Sequence, residues 1–356
     1  MIKVTDTIRW ANIESEIITM CKSLLFVSGF TLLLLAKGAL SAELLRKEMV
    51  SDEIKREFFV HIPSTYQTGK AVPIVFVFHG GGGNAVGIAK FSGFSLLSEQ
   101  NEFIAVYPQS IDKHWNDGRD SVKFRDHDAK INDVSWIKEL ITELDRKYSI
   151  DKERIYATGI SNGGMFVQRL AIEMAEHLAA VASVTAQIPI QLAKKIPGRK
   201  ISVMIINGTE DPCVPYKGGE VTAPKLFPLL ANLKRQPNRG KVISTDDTIG
   251  FWLKHNEIGT RGRLSVLPDI KRADGSTAER TEWTNKKTAL SVVLYKIIGG
   301  GHTWPGAKQY LPIRIVGSTC GDFNASIAIW EFFSKHKKKK LEAQQGAAVV
   351  ADQPRP

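Results

Sequence analysis

One short stretch decides the fold of this chain: Gly159-Ile160-Ser161-Asn162-Gly163. Residues 154–158 before it alternate β-branched and aromatic side chains with others, which predicts a short buried strand. Residues 165–177 after it carry apolar side chains amid polar ones, as in a helix. A plain glycine-rich turn can match the pattern, but a serine between glycines on a strand-to-helix turn is typical of a nucleophile elbow. The glycines are expected because this turn is strained and leaves no room for a Cβ.

Composition and charge describe an ordinary globular chain. Its 356 residues are 43% hydrophobic and 24% charged, which suits one large α/β domain or two smaller ones. The formal net charge is +11, but Lys335 and residues 337–340 place five positive charges in one terminal run. No basic stripe interleaved with aromatic residues occurs elsewhere, so the sequence argues against nucleic-acid binding. The positive charge could still favour anionic surfaces or acidic polysaccharide.

Residues 1–42 have the layout of a secretory signal peptide. Lys22 precedes an apolar run, residues 24–36, that is too short to span a membrane, and the small residues Ala39, Ser41 and Ala42 offer a cleavage site. Because the stretch before Met20 contains acidic residues, Met20 is a candidate for the true start. The sequence predicts a secreted protein, extracellular or periplasmic, without stable membrane insertion. A buried N-terminal helix or a membrane anchor is the alternative.

Residues 72–78 form a continuous apolar run, which predicts a central strand buried on both faces. The run ends in His79 and four glycines, residues 80–83. Glycines at the carboxyl end of such a strand let backbone N–H groups point into a cleft, as in an oxyanion-hole loop. A flexible linker fits badly because a helix follows soon after. A phosphate-binding loop would need a closing Gly-Lys-Ser/Thr, which this loop lacks.

Two more polar groups follow predicted strands. Asp211 comes shortly after strand 201–206 and precedes a proline, so it could orient a histidine or merely form an Asx-turn. His302 lies in a glycine-rich loop after strand 291–298. Strands and helices alternate from about residue 56 to 336, which predicts a mainly parallel sheet covered by helices on both faces. In such sheets the reactive groups collect at the carboxyl ends of the strands.

The order Ser161, Asp211, His302 is that of the α/β-hydrolase fold. In this interpretation His302 takes the proton of Ser161, and Asp211 holds the imidazole in the right tautomer. The N–H groups of Gly81 and Asn162 are the expected oxyanion donors. This chemistry needs neither a metal nor an organic cofactor.

A metal site is the alternative reading of a polar segment further along. Asp126, His127 and Asp128, with His114 nearby, supply ligand types but no spaced further partner. The pattern therefore favours a solvated loop.

Five short motifs of this chain occur together: 79–83 (HGGGG), 115–119 (WNDGR), 159–165 (GISNGGM), 211–216 (DPCVPY) and 301–306 (GHTWPG). As a set they resemble the polyhydroxybutyrate depolymerase-like esterases, a family that includes secreted feruloyl and acetylxylan esterases. The resemblance covers roughly residues 52–336. It implies a secreted serine carboxylic ester hydrolase with Ser161, Asp211 and His302 as its catalytic triad. It also implies that His79, Trp115 and Trp304 line the substrate cleft.

The chain departs from the family in two respects that bear on the substrate. No separate substrate-binding domain follows the esterase domain, and Gly81 stands where many depolymerases have a cysteine. Both favour soluble esters, either hydroxyalkanoate oligomers or feruloyl and acetyl esters of plant polysaccharide. The predicted organisation is a signal peptide at 1–42, an esterase domain at 52–336 and a disordered tail at 337–356. Residues 217–245 are expected to be a surface insertion near the active site.

Loss of the first 42 residues would leave two cysteines, Cys213 and Cys320. Cys213 lies two residues after Asp211, and Cys320 follows His302 in the chain. Because Asp211 and His302 must touch in a triad, these segments are neighbours, and a disulfide between Cys213 and Cys320 is predicted.

Two other functions compete with the esterase. A peptidase could use the same fold and serine, but it would want a pocket for a peptide amine, of which the sequence gives no sign. An inactive α/β-hydrolase could serve as a binding module, but such proteins usually lose a triad residue, and this chain has all three.

Overall fold

A ten-stranded sheet organises the chain in its computed structural model, which describes residues 43–222 and 238–338. The described residues from Leu44 onward belong to one compact unit. The strands of this sheet are β1 (Leu45–Ser51), β2 (Ile54–His61), β3 (Val72–Phe78), β4 (Ile104–Gln109), β5 (Ile150–Ile160), β6 (Ala180–Val184), β7 (Ser202–Gly208), β10 (Arg263–Val266), β11 (Thr277–Asn285) and β12 (Leu290–Ile298). Two short strands, β8 (Gly219–Glu220) and β9 (Lys241–Val242), form a separate antiparallel pair.

The strand order across the large sheet is β1-β2-β4-β3-β5-β6-β7-β12-β11-β10. The six strands from β4 to β12 in this order are mutually parallel. Every residue of β3 is buried, as the apolar run Val-Pro-Ile-Val-Phe-Val-Phe predicts for a strand covered on both faces. The predicted fold class, an α/β-hydrolase sheet that is mainly parallel, is confirmed.

The antiparallel edges of the sheet were not predicted. At one edge β1 pairs with β2 and β2 with β4, and at the other β12 pairs with β11 and β11 with β10. β1 and β10 are partly exposed along their length, so they lack the continuous apolar run that marks a buried strand. The sequence therefore indicated the buried centre of the sheet and missed the outer strands β1, β10 and β11.

Helices cover the sheet on both sides: α1 (Ala85–Ser92), α2 (Phe94–Asn101), α3 (Arg125–Lys130), α4 (Asp133–Lys147), α5 (Asn162–Glu173), α6 (Thr245–His255), α7 (Ile313–Val316) and α8 (Ala325–Phe333). The helix that the sequence predicts after the glycine loop, at 92–100, is α2, which begins at Phe94 because the chain turns at Gly93 with a φ of 70°. The helix before this turn, α1, was not predicted. The apolar stripe of α4, which includes Trp136, is buried. Its N-cap is Asn132, and the next residue, Asp133, is buried and forms an ion pair with Arg56.

The predicted signal peptide lies outside the described residues, as does the predicted tail beyond Lys338. Within the part of the chain that the structure describes, none of the helices has the length and apolar character needed to span a bilayer.

Candidate active site

Ser161 lies on a sharp turn between β5 and α5. Its φ of 57° and ψ of −125° are a strained conformation for a residue with a side chain, and its N–H donates to the carbonyl of Val184 at 2.9 Å. A Cβ built on Gly159 would lie 2.8 Å from the backbone of Gly163. A Cβ on Gly163 would lie 2.4 Å from the carbonyl oxygen of His79. The glycines of the motif are thus required by close backbone packing, which is the geometry of a nucleophile elbow.

The glycine loop that follows β3 passes beside this turn. A Cβ on Gly80 would lie 3.5 Å from the Cβ of Ser161, and one on Gly81 would lie 3.6 Å from the Cβ of Asn162. Within the described residues the N–H of Gly81 has no acceptor, whereas Gly82 and Gly83 donate to backbone carbonyls. Asn162 is the first residue of α5, where backbone N–H groups have no partner inside the helix. Two free N–H groups therefore lie beside Ser161.

His79 begins the glycine loop and lines the cleft, as predicted. Burial lowers the pKa of its imidazole to about 4, so the ring is neutral at pH 7. Nδ1 lies 2.8 Å from the carbonyl oxygen of Gly80, and Nε2 accepts from the backbone N–H of Ser110 at 3.3 Å. Both ring nitrogens are occupied by the protein itself, so His79 shapes the loop.

Asp211 and His302 meet at the carboxyl ends of β7 and β12, two parallel neighbours in the sheet. Oδ2 of Asp211 lies 2.7 Å from Nδ1 of His302, and both residues are buried. Oδ1 of Asp211 accepts the backbone N–H groups of Cys213 and Val214, each at 2.8 Å. The carboxylate therefore forms the Asx-turn and also orients the histidine. The carbonyl of His302 accepts a hydrogen bond from the hydroxyl of Tyr310 at 2.9 Å.

A cleft of about 730 Å³ brings these groups together, a volume typical of small-molecule sites. Its walls include the glycine loop, Ser161, Asn162 and His302. They also include Val221, Thr222 and Arg239 from the described ends of segment 217–245, which lies next to the site as expected. Among the described residues no hydrogen bond yet joins His302 to the Ser161 side chain, a contact that often closes only when substrate binds.

The two tryptophans expected to line the cleft are core residues instead. Trp115 is fully buried, stacks on Phe166 with 5.1 Å between ring centroids, and donates its indole N–H to the carbonyl of His79 at 2.9 Å. Trp304 is 1% exposed and donates to the hydroxyl of Ser326 at 3.0 Å. Each indole has both apolar packing and a partner for its N–H, so neither side chain is left for a ligand.

The predicted disulfide is also wrong, since Cys213 and Cys320 are both free and buried. The Cys213 thiol lies with Asp211 and His302, whereas the Cys320 thiol lies with Asp274 and Asp322, 3.7 Å from a carboxylate oxygen of the latter. The segments that carry Cys213 and Cys320 have neighbouring backbones, as expected, but the two thiols lie in different clusters of side chains. Burial and the Asp211 charge raise the pKa of the Cys213 thiol to about 12.

A buried polar scaffold that was not predicted from the sequence supports the candidate nucleophile. The side chain of Asn162 exchanges two hydrogen bonds with the backbone of Trp115, at 2.8 and 2.9 Å, and donates to Asp117 at 2.6 Å. Asp117 in turn binds Nε and Nη2 of Arg119. Residues 115–119 are therefore a buried support for the elbow. The unusual density of polar residues beside a tryptophan was the available signal.

The polar segment with His114, His127 and Asp128 is not a solvated loop, because His114 is buried and stacks on Phe124. Oδ1 of Asp128 lies 3.0 Å from Nδ1 of His127 and 3.4 Å from Nε2 of His114. These ligand types could hold a metal ion, as their nearest atoms lie within 4.8 Å of one another. The hydrogen bond to Asp128 raises the pKa of His127, which favours the protonated ring that binds no metal.

The sheet, the strained elbow and the loops at the strand ends define an α/β-hydrolase. A family model described as phospholipase/carboxylesterase matches residues 64–247, and the chain belongs to this family. A putative esterase, NocK, from Nocardia uniformis subsp. tsuyamanensis is 32% identical over 248 residues, which are 69% of this chain and 70% of that protein. The protein is accordingly a carboxylic ester hydrolase.

More distant relatives are esterases of several kinds. Feruloyl esterase B from Piromyces equi is 26% identical over 72% of this chain, and a bifunctional acetylxylan esterase/xylanase from Neocallimastix patriciarum is 23% identical over 70%. The chain spans only 45% and 36% of these two proteins. Among solved structures, an acetyl xylan esterase from Aspergillus awamori shares the fold with a TM-score of 0.53 and 16% identity, over 82% of this chain and 99% of that one.

Proposed function

We propose that Ser161, His302 and Asp211 form a catalytic triad that hydrolyses carboxylic esters through an acyl-enzyme. The observation that carries this proposal is the 2.7 Å contact between Asp211 Oδ2 and His302 Nδ1, in the same cleft as a serine on a strained elbow. Because Nδ1–H donates to Asp211, the lone pair of His302 is on Nε2. That nitrogen can take the proton of Ser161 as its oxygen attacks the ester carbonyl.

The tetrahedral oxyanion that forms in this attack would accept the N–H groups of Gly81 and Asn162. Both lack acceptors within the described residues, and both are beside Ser161, which supports this assignment. His302, now protonated, gives its proton to the leaving alcohol oxygen as the carbonyl reforms. Water then attacks the acyl-enzyme by the same steps, with His302 as base, and releases the acid and free Ser161.

For the substrate we propose soluble esters, either feruloyl and acetyl esters of plant polysaccharide or oligomers of hydroxyalkanoates. The printed names of several relatives and the resemblance of the five motifs support this range. We also propose that residues 1–42 are a signal peptide, that the esterase domain spans residues 52–336 and that the mature enzyme is secreted.

A panel of esters tests the proposal: 4-nitrophenyl acetate and butyrate, methyl ferulate, acetylated xylan and a hydroxybutyrate oligomer. Hydrolysis is expected to vanish in Ser161→Ala. It should persist in Ser265→Ala, the same substitution on the edge strand β10. Hydrolysis that survives in Ser161→Ala would refute the triad, and the preferred ester would identify the acyl and alcohol groups.

A further inference from the structure

The cleft beside Ser161 carries an excess of positive charge. Four basic side chains line it, Lys113, Arg119, Lys123 and Arg239, against one carboxylate, that of Asp112. Of the four, Arg119 alone has a carboxylate partner, Asp117, among the described residues. A neutral ester makes no use of such a cluster.

Two of these cations keep buried nitrogen atoms with nothing to bind. Nη1 of Arg119 and Nε of Arg239 are buried and have no hydrogen-bond partner within the described residues. Nε and Nη2 of Arg119 are engaged by Asp117, so Nη1 is the donor that remains. Buried polar atoms in proteins are almost always paired, and a buried charge without a partner is costly. Within the described residues nothing occupies these donors, so they are available to an acceptor carried by a ligand.

The cations also repel one another. Burial lowers the pKa of Arg239, and the charge of Arg119 lowers it further. Burial likewise lowers the pKa of Lys123, with a further contribution from Arg239. The ring of Phe124 lies 5.1 Å from Nζ of Lys123 and 5.9 Å from the guanidinium carbon of Arg239, which offsets only part of this repulsion. An anion between these side chains would remove it.

Among the described residues, the carboxylates near the cluster do not occupy the free donors, and the exposed Asp112 forms no ion pair with it. Asp117 binds Arg119 and Asn162, and the exposed Asp120 lies 3.9 Å from Arg125. Residues 223–237, which precede Arg239 in the chain, include no Asp or Glu. A ligand that carries an anion would therefore meet donors that no carboxylate of the described residues occupies.

The cluster is held in a fixed relation to the elbow. Asn162 follows Ser161 directly and binds Asp117, which binds Arg119. A Cβ on Gly240, the residue after Arg239, would lie 2.7 Å from the Cβ of Arg119, so the two arginine-bearing segments touch. Residues that bind the anion would thus be positioned by the same contacts that position the candidate nucleophile.

We propose that the cleft selects esters that carry a free carboxylate, and that Arg239, Lys123 and Nη1 of Arg119 receive this group. The inference rests on the proposed function and names its substrate class. The Nε–Nη edge of an arginine matches the two oxygens of a carboxylate, which gives a bidentate pair that a neutral ester cannot make. A carboxylate that reaches this cluster places the ester carbonyl within the same cleft as Ser161.

Matched pairs of esters test this inference, each acid compared with its own methyl ester. The first pair is 4-acetoxybenzoate and methyl 4-acetoxybenzoate, with the charge on the alcohol side. The second is mono-4-nitrophenyl adipate and methyl 4-nitrophenyl adipate, with the charge on the acyl side. We expect kcat/KM to be at least about tenfold higher for the acid in one pair or both at low ionic strength, and the preference to shrink as salt is added.

Arg239→Met removes the charge and should lower this preference about tenfold, whereas Arg239→Lys should retain part of it. Arg263→Met is the matched control, because it deletes the same charge from an exposed position on β10 and should leave the preference unchanged. Melting temperatures confirm that the variants fold. A preference absent in the wild type, or one that Arg239→Met does not change, would overturn the inference.

Failure of this inference is distinguishable from failure of the triad. If methyl 4-acetoxybenzoate is hydrolysed by the wild type and not by Ser161→Ala, but the acid is not preferred, only the carboxylate site is refuted. If hydrolysis of the neutral ester persists in Ser161→Ala, the triad is refuted and the preference has to be explained at another site.

Discussion

The carboxylate of Asp211 binds a different partner through each of its oxygens. Oδ1 closes the turn at Cys213 and Val214, and Oδ2 holds Nδ1 of His302. The turn holds the carboxylate in place, so the imidazole contacts a preorganised acceptor. An orienting residue needs this fixed position, because the tautomer of His302 depends on a short and well-aligned contact.

We predict that Asp211→Asn lowers kcat about 10³–10⁴-fold, since an amide in this place favours the wrong tautomer of His302. The Asn side chain can still accept the N–H groups of Cys213 and Val214 through its Oδ1, so the melting temperature should change little. Steady-state hydrolysis of 4-nitrophenyl acetate and thermal unfolding measure the two effects. A kcat within tenfold of wild type would contradict the role of Asp211.

At Cys213 and Cys320 we predict two free thiols. The buried sulfurs belong to different clusters of side chains, so no S–S bond should form even in an oxidising buffer. Denaturation without reductant, alkylation and peptide mapping should find both residues alkylated. Recovery of a linked pair of peptides would contradict this arrangement.

The elbow between β5 and α5 shows how backbone packing limits the sequence of an element. A Cβ at Gly163 would overlap the carbonyl of His79. This carbonyl belongs to the backbone, so it cannot move aside as the end of a flexible side chain could. The strand, the helix and the glycine loop cross at this point, so any shift of one displaces the other two.

Gly163→Ala is expected to lower the free energy of unfolding by about 1–3 kcal/mol, because the overlap forces the backbone to move. Gly250→Ala in α6 is the control, since its Cβ would meet nothing within 4 Å and alanine favours a helix by about 0.5–1 kcal/mol. Urea denaturation of both variants measures the difference. Equal stability of the two variants would show that the backbone at Gly163 has room for a Cβ.

Trp304 belongs to the packing between α8 and the core, so we predict an effect on stability. Trp304→Phe keeps most of the apolar surface and loses the hydrogen bond to Ser326, which should lower the free energy of unfolding by about 1–3 kcal/mol. The KM for 4-nitrophenyl butyrate should not change. A raised KM at unchanged stability would restore Trp304 to the substrate cleft.

The strands that could be predicted from the sequence are those with a continuous run of buried apolar residues. The strand at 72–78 was predicted correctly because a continuous apolar run has few other uses. The edge strands β1 and β10 were missed because half-exposed residues resemble those of a loop. Trp115 and Trp304 were misplaced because the sequence cannot distinguish an indole in a core from one in a cleft. The partners that decide this, His79 and Ser326, are 36 and 22 residues away.

Across the whole molecule, buried histidines couple stability to pH. His336 lies between Ser202 and Ser291, at 3.2 and 3.0 Å from their hydroxyls, and burial lowers the pKa of its ring to about 4. The unfolded chain binds this proton near pH 6.5, so it binds more protons than the folded chain between pH 6.5 and 4. The contribution of the neutral His336 ring to the free energy of unfolding is therefore complete above pH 6.5 and is lost as the pH drops toward 4. His79 contributes in the same direction.

We predict that His336→Gln loses less stability than the wild type between pH 7 and pH 4, by about 2–3 kcal/mol. Urea denaturation at pH 7, 5.5 and 4 measures the slope, and the difference between the slopes is independent of any loss at pH 7. Identical slopes in the two proteins would show that His336 is protonated while folded.

The charge of the whole molecule was harder to interpret from the sequence than its fold. The net charge of +11 was correctly attributed in part to the terminal lysines, but the cluster in the cleft was not seen. Arg119 and Arg239 are 120 positions apart, and contacts between their segments, such as the packing of Gly240 against Arg119, bring them together. The three candidate triad residues were easier, because each follows a strand and parallel strands end at one edge of the sheet.

Covalent labelling tests directly whether Ser161 is the nucleophile. The protein is incubated with a fluorophosphonate, and peptide mapping by mass spectrometry locates the adduct. We predict one adduct, on Ser161, that is absent from Ser161→Ala and forms far more slowly in His302→Ala. An adduct on another residue, or labelling that persists in Ser161→Ala, would contradict the proposal that Ser161 is the nucleophile of this esterase.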